Sequence, residues 1–248
     1  MAGYVLEVIE SYEEMSVRAA DAVQETVERR PDAAITVPTG QTPLGMYEDL
    51  VRRVEAGTID LSQVRIFCLD DYLGQSRHDE ASLTRWLYEA FLIPAGIPES
   101  HIHRIPAAAP DPHAAALAYE REIAALGGLE LAVIGLGQNG HVAFNEPGSA
   151  PDSRTRVVEL TGESREQSSA YWEGEAGIPP YAITMGLGTI QEARQIVLIV
   201  SGEAKAGIVH QALEEEPKLE VPASWLQTVG ERLHVILDRE ATSELTPR

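Results

Sequence analysis

His141, Glu146 and Asn139 lie in one glycine-rich run, GLGQNGHVAFNEPGS, at residues 135–149. An imidazole titrates near neutrality and moves protons readily, and a nearby carboxylate can set its tautomer. Asn139 can hydrogen-bond that histidine or a sugar hydroxyl, and Gly135, Gly137 and Gly140 allow a tight path beneath a ligand. A purely structural histidine is the competing reading. Adjacent acids, Asp70 and Asp71, end the apolar run in FCLDDYLG at 67–74. Consecutive strand residues point to opposite faces, so one acid can meet a ligand while the other caps or orients. A carboxylate between apolar walls and a like charge rises in pKa towards a value useful for a general base.

A third segment, VPTGQTPLGMYEDL at 37–50, reads as strand, small-residue turn and helix start. Proline suits a first helical turn, and the N–H groups exposed there attract anions. Gly40 lets the backbone approach a phosphate, and Thr39 and Thr42 bring hydroxyls; a plain tight turn with a helix cap is the alternative. The segment matches neither the Walker pattern nor the dinucleotide fingerprint, which disfavours nucleotides. Lys205, in SGEAK, begins a helix from which an ammonium group can reach a bound anion, or is an ordinary solvated lysine. His101 and His103 have metal-ligand spacing but no third ligand close in sequence, and read as surface or structural residues. Trp86, Trp172 and Trp225 read as core or lid residues.

The positioning elements follow from hydrophobic periodicity. Strands are predicted at 4–9, 33–38, 64–69, 129–136, 155–160, 182–186, 195–201 and 233–238, with helices at 11–29, 43–56, 80–93, 113–126, 187–193, 203–215 and part of 222–229. Alternation of β-rich and amphipathic stretches marks βαβ units, hence a Rossmann-like, doubly wound α/β fold with a mainly parallel sheet and helices on both faces. His141 then sits on a loop at the carboxyl end of LELAVIGL, where open α/β sheets bind ligands. The polar, poorly periodic stretch at 161–182 reads as a lid within one domain spanning 1–248.

Composition narrows the classes of function. At 248 residues and 44% hydrophobic, the chain can bury a full core. A net charge of −20 argues against nucleic-acid binding, and no apolar run approaches a membrane span. The single cysteine, Cys68, excludes an internal disulfide framework and fits a cytoplasmic, soluble protein. The sequence leaves a homo-oligomer possible.

Taken in order, TGQTP, LDDY, GQNGHVAFNEP and GEAK make the chain resemble the glucosamine-6-phosphate deaminase/isomerase family, with SRTRVVEL and AITMGLGTIQEA extending the likeness. The resemblance implies a fold shared with sugar-phosphate lactonases and conversion of glucosamine 6-phosphate and water to fructose 6-phosphate and ammonia, with no metal or organic cofactor. It implies Asp70 as the proton acceptor at sugar C2 and His141 as the ring-opening acid/base, supported by Glu146 and Asn139. Thr39, Gly40, Gln41, Thr42, Gly137 and Lys205 are implied to hold the substrate and its phosphate.

Four departures stand out, the first being Asn139, where many family members have an aspartate, so that it can orient His141 but cannot share its proton. Ala170 occupies the position of the family's phosphate-binding lid arginine, with Arg165 a possible substitute; Val158 replaces a lysine that helps bind an N-acetyl sugar phosphate activator, which implies no such activation. VPASWLQTVG lacks the histidine that usually follows LQ. The neighbouring readings are a galactosamine 6-phosphate deaminase, a 6-phosphogluconolactonase-like hydrolase, whose usual A-S-L-F this chain replaces by AFNEP, and a non-catalytic sugar-phosphate sensor.

Overall fold

The computed structural model describes residues 3–162, 164, 165 and 178–246. Its seven-stranded sheet has the order β1-β10-β9-β6-β2-β3-β5. The strands are β1 (Val5–Ile9), β2 (Ala34–Val37), β3 (Arg65–Cys68), β5 (Ile102–His103), β6 (Leu131–Gly135), β9 (Gln195–Val200) and β10 (Leu233–Asp238), and all neighbours pair in parallel. Both faces of its centre are covered, so β2 reads AITV, buried throughout. A second, antiparallel sheet joins β4 (Asp70–Tyr72), β8 (Tyr181–Thr184) and β7 (Arg156–Glu159).

The α-helices whose full range lies among the described residues are α1 (Tyr12–Arg29), α2 (Leu44–Glu55), α3 (Leu83–Leu87), α4 (Pro112–Ala125), α5 (Leu187–Gln191) and α6 (Ala206–Leu213). The Ser11 hydroxyl accepts from Glu14 N at the start of α1, whose Met15, Ala19 and Val23 form a buried stripe at four-residue spacing. Asp111 caps α4 in the same way, with Pro112 at its first position.

The predicted strands at 155–160 and 182–186 exist as β7 and β8, but they pair antiparallel outside the main sheet. Neither β4 nor β5 was expected: at three and two residues they are too short to show a period. The predicted helix at 80–93 is α3 followed by a π-helical turn, Tyr88–Leu92. Residues Pro222–Arg232 form 3-10 turns broken at Gly230. The chain runs outward from β2 through β3 to β5, then returns to β6 on the other side of β2. That reversal places the topological switch between β2 and β6, the crevice where such sheets hold ligands.

Candidate active site

A cavity of about 240 Å3 opens at that switch. The loop after β2 lines it with Thr39, Gly40, Gln41 and Thr42, and the loop after β6 with Gly137 and His141. Asp70 is the first residue of β4, and Lys205 comes from the turn after β9. Eight residues singled out from sequence thus meet in one space; Asn139 and Glu146 stand behind His141 rather than on the wall.

The two acids of LDDY separate as strand alternation demands. Asp71 is buried and saturated: Oδ1 accepts from Tyr72 N and Leu83 N, and Oδ2 from the Ser82 hydroxyl and Thr84 N, at 2.7–3.1 Å. It therefore ties the start of α3 to β4. Asp70 is 6% exposed, yet its Oδ1 has no hydrogen-bond partner. Burial, reinforced by the neighbouring Asp71 charge, raises its pKa to about 8. Buried polar atoms are almost always partnered, so an orphaned carboxylate on a cavity wall is suited to receive a proton from a ligand.

His141 is backed by Asn139 and Glu146. Its backbone N–H donates to Asn139 Oδ1 at 3.1 Å, and Asn139 Nδ2 donates to Glu146 Oε2 at 2.9 Å. The same Glu146 oxygen lies 3.9 Å from His141 Nδ1. Nδ1 facing a carboxylate leaves Nε2 for a ligand. Desolvation lowers the imidazole pKa, with the Lys205 charge in the same direction and Glu146 opposing. A ring kept neutral can both accept and donate a proton.

The loop beyond His141 is fixed by an amide that the sequence reading passed over. Asn145, fully buried, donates from Nδ2 to the Val142 and Met185 carbonyls, both at 2.9 Å, and accepts from Arg156 at 2.8 Å. Ala143 between them has φ 51, a left-handed conformation that costs energy in any residue with a Cβ.

Opposite, the start of α2 has no side-chain cap. The Tyr12 hydroxyl accepts from Gly45 N at 2.9 Å and donates to the Gln41 carbonyl at 3.2 Å, bracing the turn. Gly40 has φ 98, a conformation natural to glycine. Lys205 donates to the Leu136 carbonyl at 2.7 Å, and burial lowers its pKa to about 8. Among the described residues it is the one Lys or Arg on the cavity wall. Arg165 is turned elsewhere, donating to the Ile178 carbonyl at 3.2 and 3.1 Å. Ala170, Trp172 and most of the expected lid lie outside the described residues.

Sequence reading missed Tyr72, Leu83, Trp86, Phe144 and Ser164 as cavity residues. Trp86 was read as core or lid, and it forms part of this wall. Among the described residues no group of three or more His, Cys, Asp or Glu is placed to hold a metal, and no helix is long and apolar enough to cross a membrane.

A parallel α/β sheet whose crevice sets a buried carboxylate and an imidazole across from an uncapped helix start belongs to the class that can hold a small anionic ligand. The family described as glucosamine-6-phosphate isomerases/6-phosphogluconolactonase matches residues 9–235, and the chain belongs to it. It is 38% identical over 228 residues to a glucosamine-6-phosphate deaminase of Mycolicibacterium smegmatis, covering 92% of this chain and 87% of that one. A deaminase of the same description from Alkaliphilus oremlandii is 35% identical, with 97% and 100% covered. Among solved structures, a monomeric glucosamine-6-phosphate deaminase superposes with a TM-score of 0.93 at 32% identity, covering 97% of this chain and 99% of its own. The 6-phosphogluconolactonase of Trypanosoma cruzi, at TM-score 0.77 and 21% identity, shares the fold.

Proposed function

We propose that the protein is a glucosamine-6-phosphate deaminase, converting glucosamine 6-phosphate and water to fructose 6-phosphate and ammonia. The observation that carries this reading is the orphaned, buried Asp70 carboxylate sharing one cavity with an imidazole backed by Glu146. Deaminase relatives covered over nearly their whole length support it.

In this reading the 39–43 loop, the start of α2 and Lys205 hold the phosphate. His141 Nε2 takes the C1 hydroxyl proton and delivers one to the ring oxygen, opening the pyranose to an aldehyde. Asp70 then removes the acidified C2 proton and passes it towards C1. The enol-type intermediate becomes a C2 imine, and water replaces ammonia there. Glu146 and Asn139 orient the imidazole and favour its transient positive charge. The chain works as a single domain, and no N-acetyl sugar phosphate activates the enzyme, Val158 standing where the family's lysine would contribute. The lone, buried Cys68 thiol suits a cytoplasmic setting.

The test is a panel of glucosamine 6-phosphate, galactosamine 6-phosphate and 6-phosphogluconolactone, with ammonia and acid release read in parallel. Ammonia from the gluco epimer with no acid from the lactone supports the proposal. Acid release alone would show a lactonase, and ligand-induced thermal stabilisation with no turnover would show a sensor.

A further inference from the structure

Three side-chain atoms on the cavity residues are buried and have no hydrogen-bond partner: Asp70 Oδ1, His141 Nδ1 and Ser164 Oγ. Two belong to the groups that move protons in the proposed reaction. The third has had no role until now. Ser164 is 3% exposed, and a hydroxyl in that position loses its water without a protein atom in exchange, a cost that a bound ligand can offset.

The placement of Ser164 separates it from the anion end. The 39–43 loop and Lys205 follow β2 and β9 of the large sheet, on either side of β6. Ser164 instead follows β7 of the small sheet, in a turn held by Ser164 N donating to the Thr161 hydroxyl at 3.1 Å. Leu160, which leads into this turn, packs in one apolar cluster with Tyr72 and Phe144, and both of those rings line the cavity. A neutral hydroxyl on an aromatic-rich wall matches a sugar hydroxyl, which also donates once and accepts twice; a dianion is better met by the ammonium and backbone N–H groups across the cavity.

We infer that Ser164 Oγ is a substrate-binding group that hydrogen-bonds a hydroxyl of the sugar chain, away from the phosphate. This rests on the amino-sugar phosphate reading above. The experiment compares the full-length wild type with Ser164→Ala and Ser164→Thr, measuring kcat and KM for glucosamine 6-phosphate and the inhibition constant of inorganic phosphate. Loss of one neutral hydrogen bond is expected to raise KM in Ser164→Ala roughly three- to tenfold with kcat nearly constant. Inorganic phosphate should inhibit both proteins equally, and Ser164→Thr, which keeps the hydroxyl, should recover most of the loss. An unchanged KM in Ser164→Ala overturns the assignment. So does a phosphate inhibition constant that rises in step with KM, since the contact would then be with the anion. A wild type that releases no ammonia overturns the amino-sugar reading itself and this assignment with it; an active wild type beside an unaltered variant overturns the assignment alone.

Discussion

The imidazole of His141 occupies the space where a side chain on Gly137 would begin: a Cβ there would come within 2.3 Å of ring atoms Cε1 and Nε2. Gly137 is required for the space it leaves rather than for a left-handed backbone, since its φ is not among the positive ones. Gly137→Ala should therefore fold and still push the ring out of place. A displacement of about an ångström in a proton-transfer group costs on the order of 100-fold in kcat. Turnover measured beside circular dichroism checks this; wild-type kcat in a folded variant would contradict it.

Asp70 and Lys205 both titrate at about 8 in the free protein. The base works as a carboxylate, gained as pH rises, and the ammonium holds the phosphate only while charged, which is lost as pH rises. A bell-shaped kcat/KM with its maximum close to pH 8 is expected. Steady-state rates from about pH 6 to about pH 10 test it, and a flat profile would count against both assignments.

Stability should move the opposite way to activity at Asp70. Its folded pKa of about 8 lies above the ordinary 3.8, so between those values the folded state holds a proton that the unfolded state has released. Stability is then lost as pH climbs through that window. Asp70→Asn removes the ionisation, and its Tm should exceed wild type at pH 8 while matching it near pH 4. Scanning calorimetry at the two pH values is the check; a destabilised variant at pH 8 would contradict the buried, unpartnered carboxylate.

Lys205→Met should weaken phosphate-bearing ligands specifically. A charge-assisted hydrogen bond contributes about 1.5–3 kcal/mol, so KM should rise roughly 10- to 150-fold, and inorganic phosphate should lose inhibitory power in parallel. Competition kinetics with phosphate check this, and an unaltered inhibition constant would remove Lys205 from the anion site.

Asn145→Ala should act on stability as much as on rate. It removes the amide bonds to the Val142 and Met185 carbonyls and the acceptor for Arg156, leaving the carbonyls with Asn145 N and the Thr184 hydroxyl and the guanidinium with Ser149. A loss of about 2–4 kcal/mol is expected, visible as a lower urea midpoint with the slope unchanged.

The sheet and the meeting of Asp70 with His141 in one cavity were legible because local pattern carries both. Apolar runs ending in LDD and GLGQNGH mark strand ends, and in a parallel sheet strand ends meet at one edge. What stayed hidden depends on contacts far apart in sequence. Asp71 could be told from Asp70 only as a pair with alternating faces; that Asp71 is the one tied to Ser82 and α3 is a tertiary fact. Trp86 and Ser164 join the wall from segments that follow β4 and β7 of the small sheet, and β4, at three residues, gives no periodic warning of that sheet. Asn145 was visible only as one letter of a motif; its carbonyl partner at Met185 is forty residues away.

Proton transfer at C2 by Asp70 is the step on which the proposed chemistry turns. Ammonia release from glucosamine 6-phosphate by wild type and by Asp70→Asn, measured side by side on folded protein, tests it most directly. Ammonia and fructose 6-phosphate in equal amounts from the wild type, with none above background from the variant, is the expected result. Undiminished ammonia release from Asp70→Asn would contradict it.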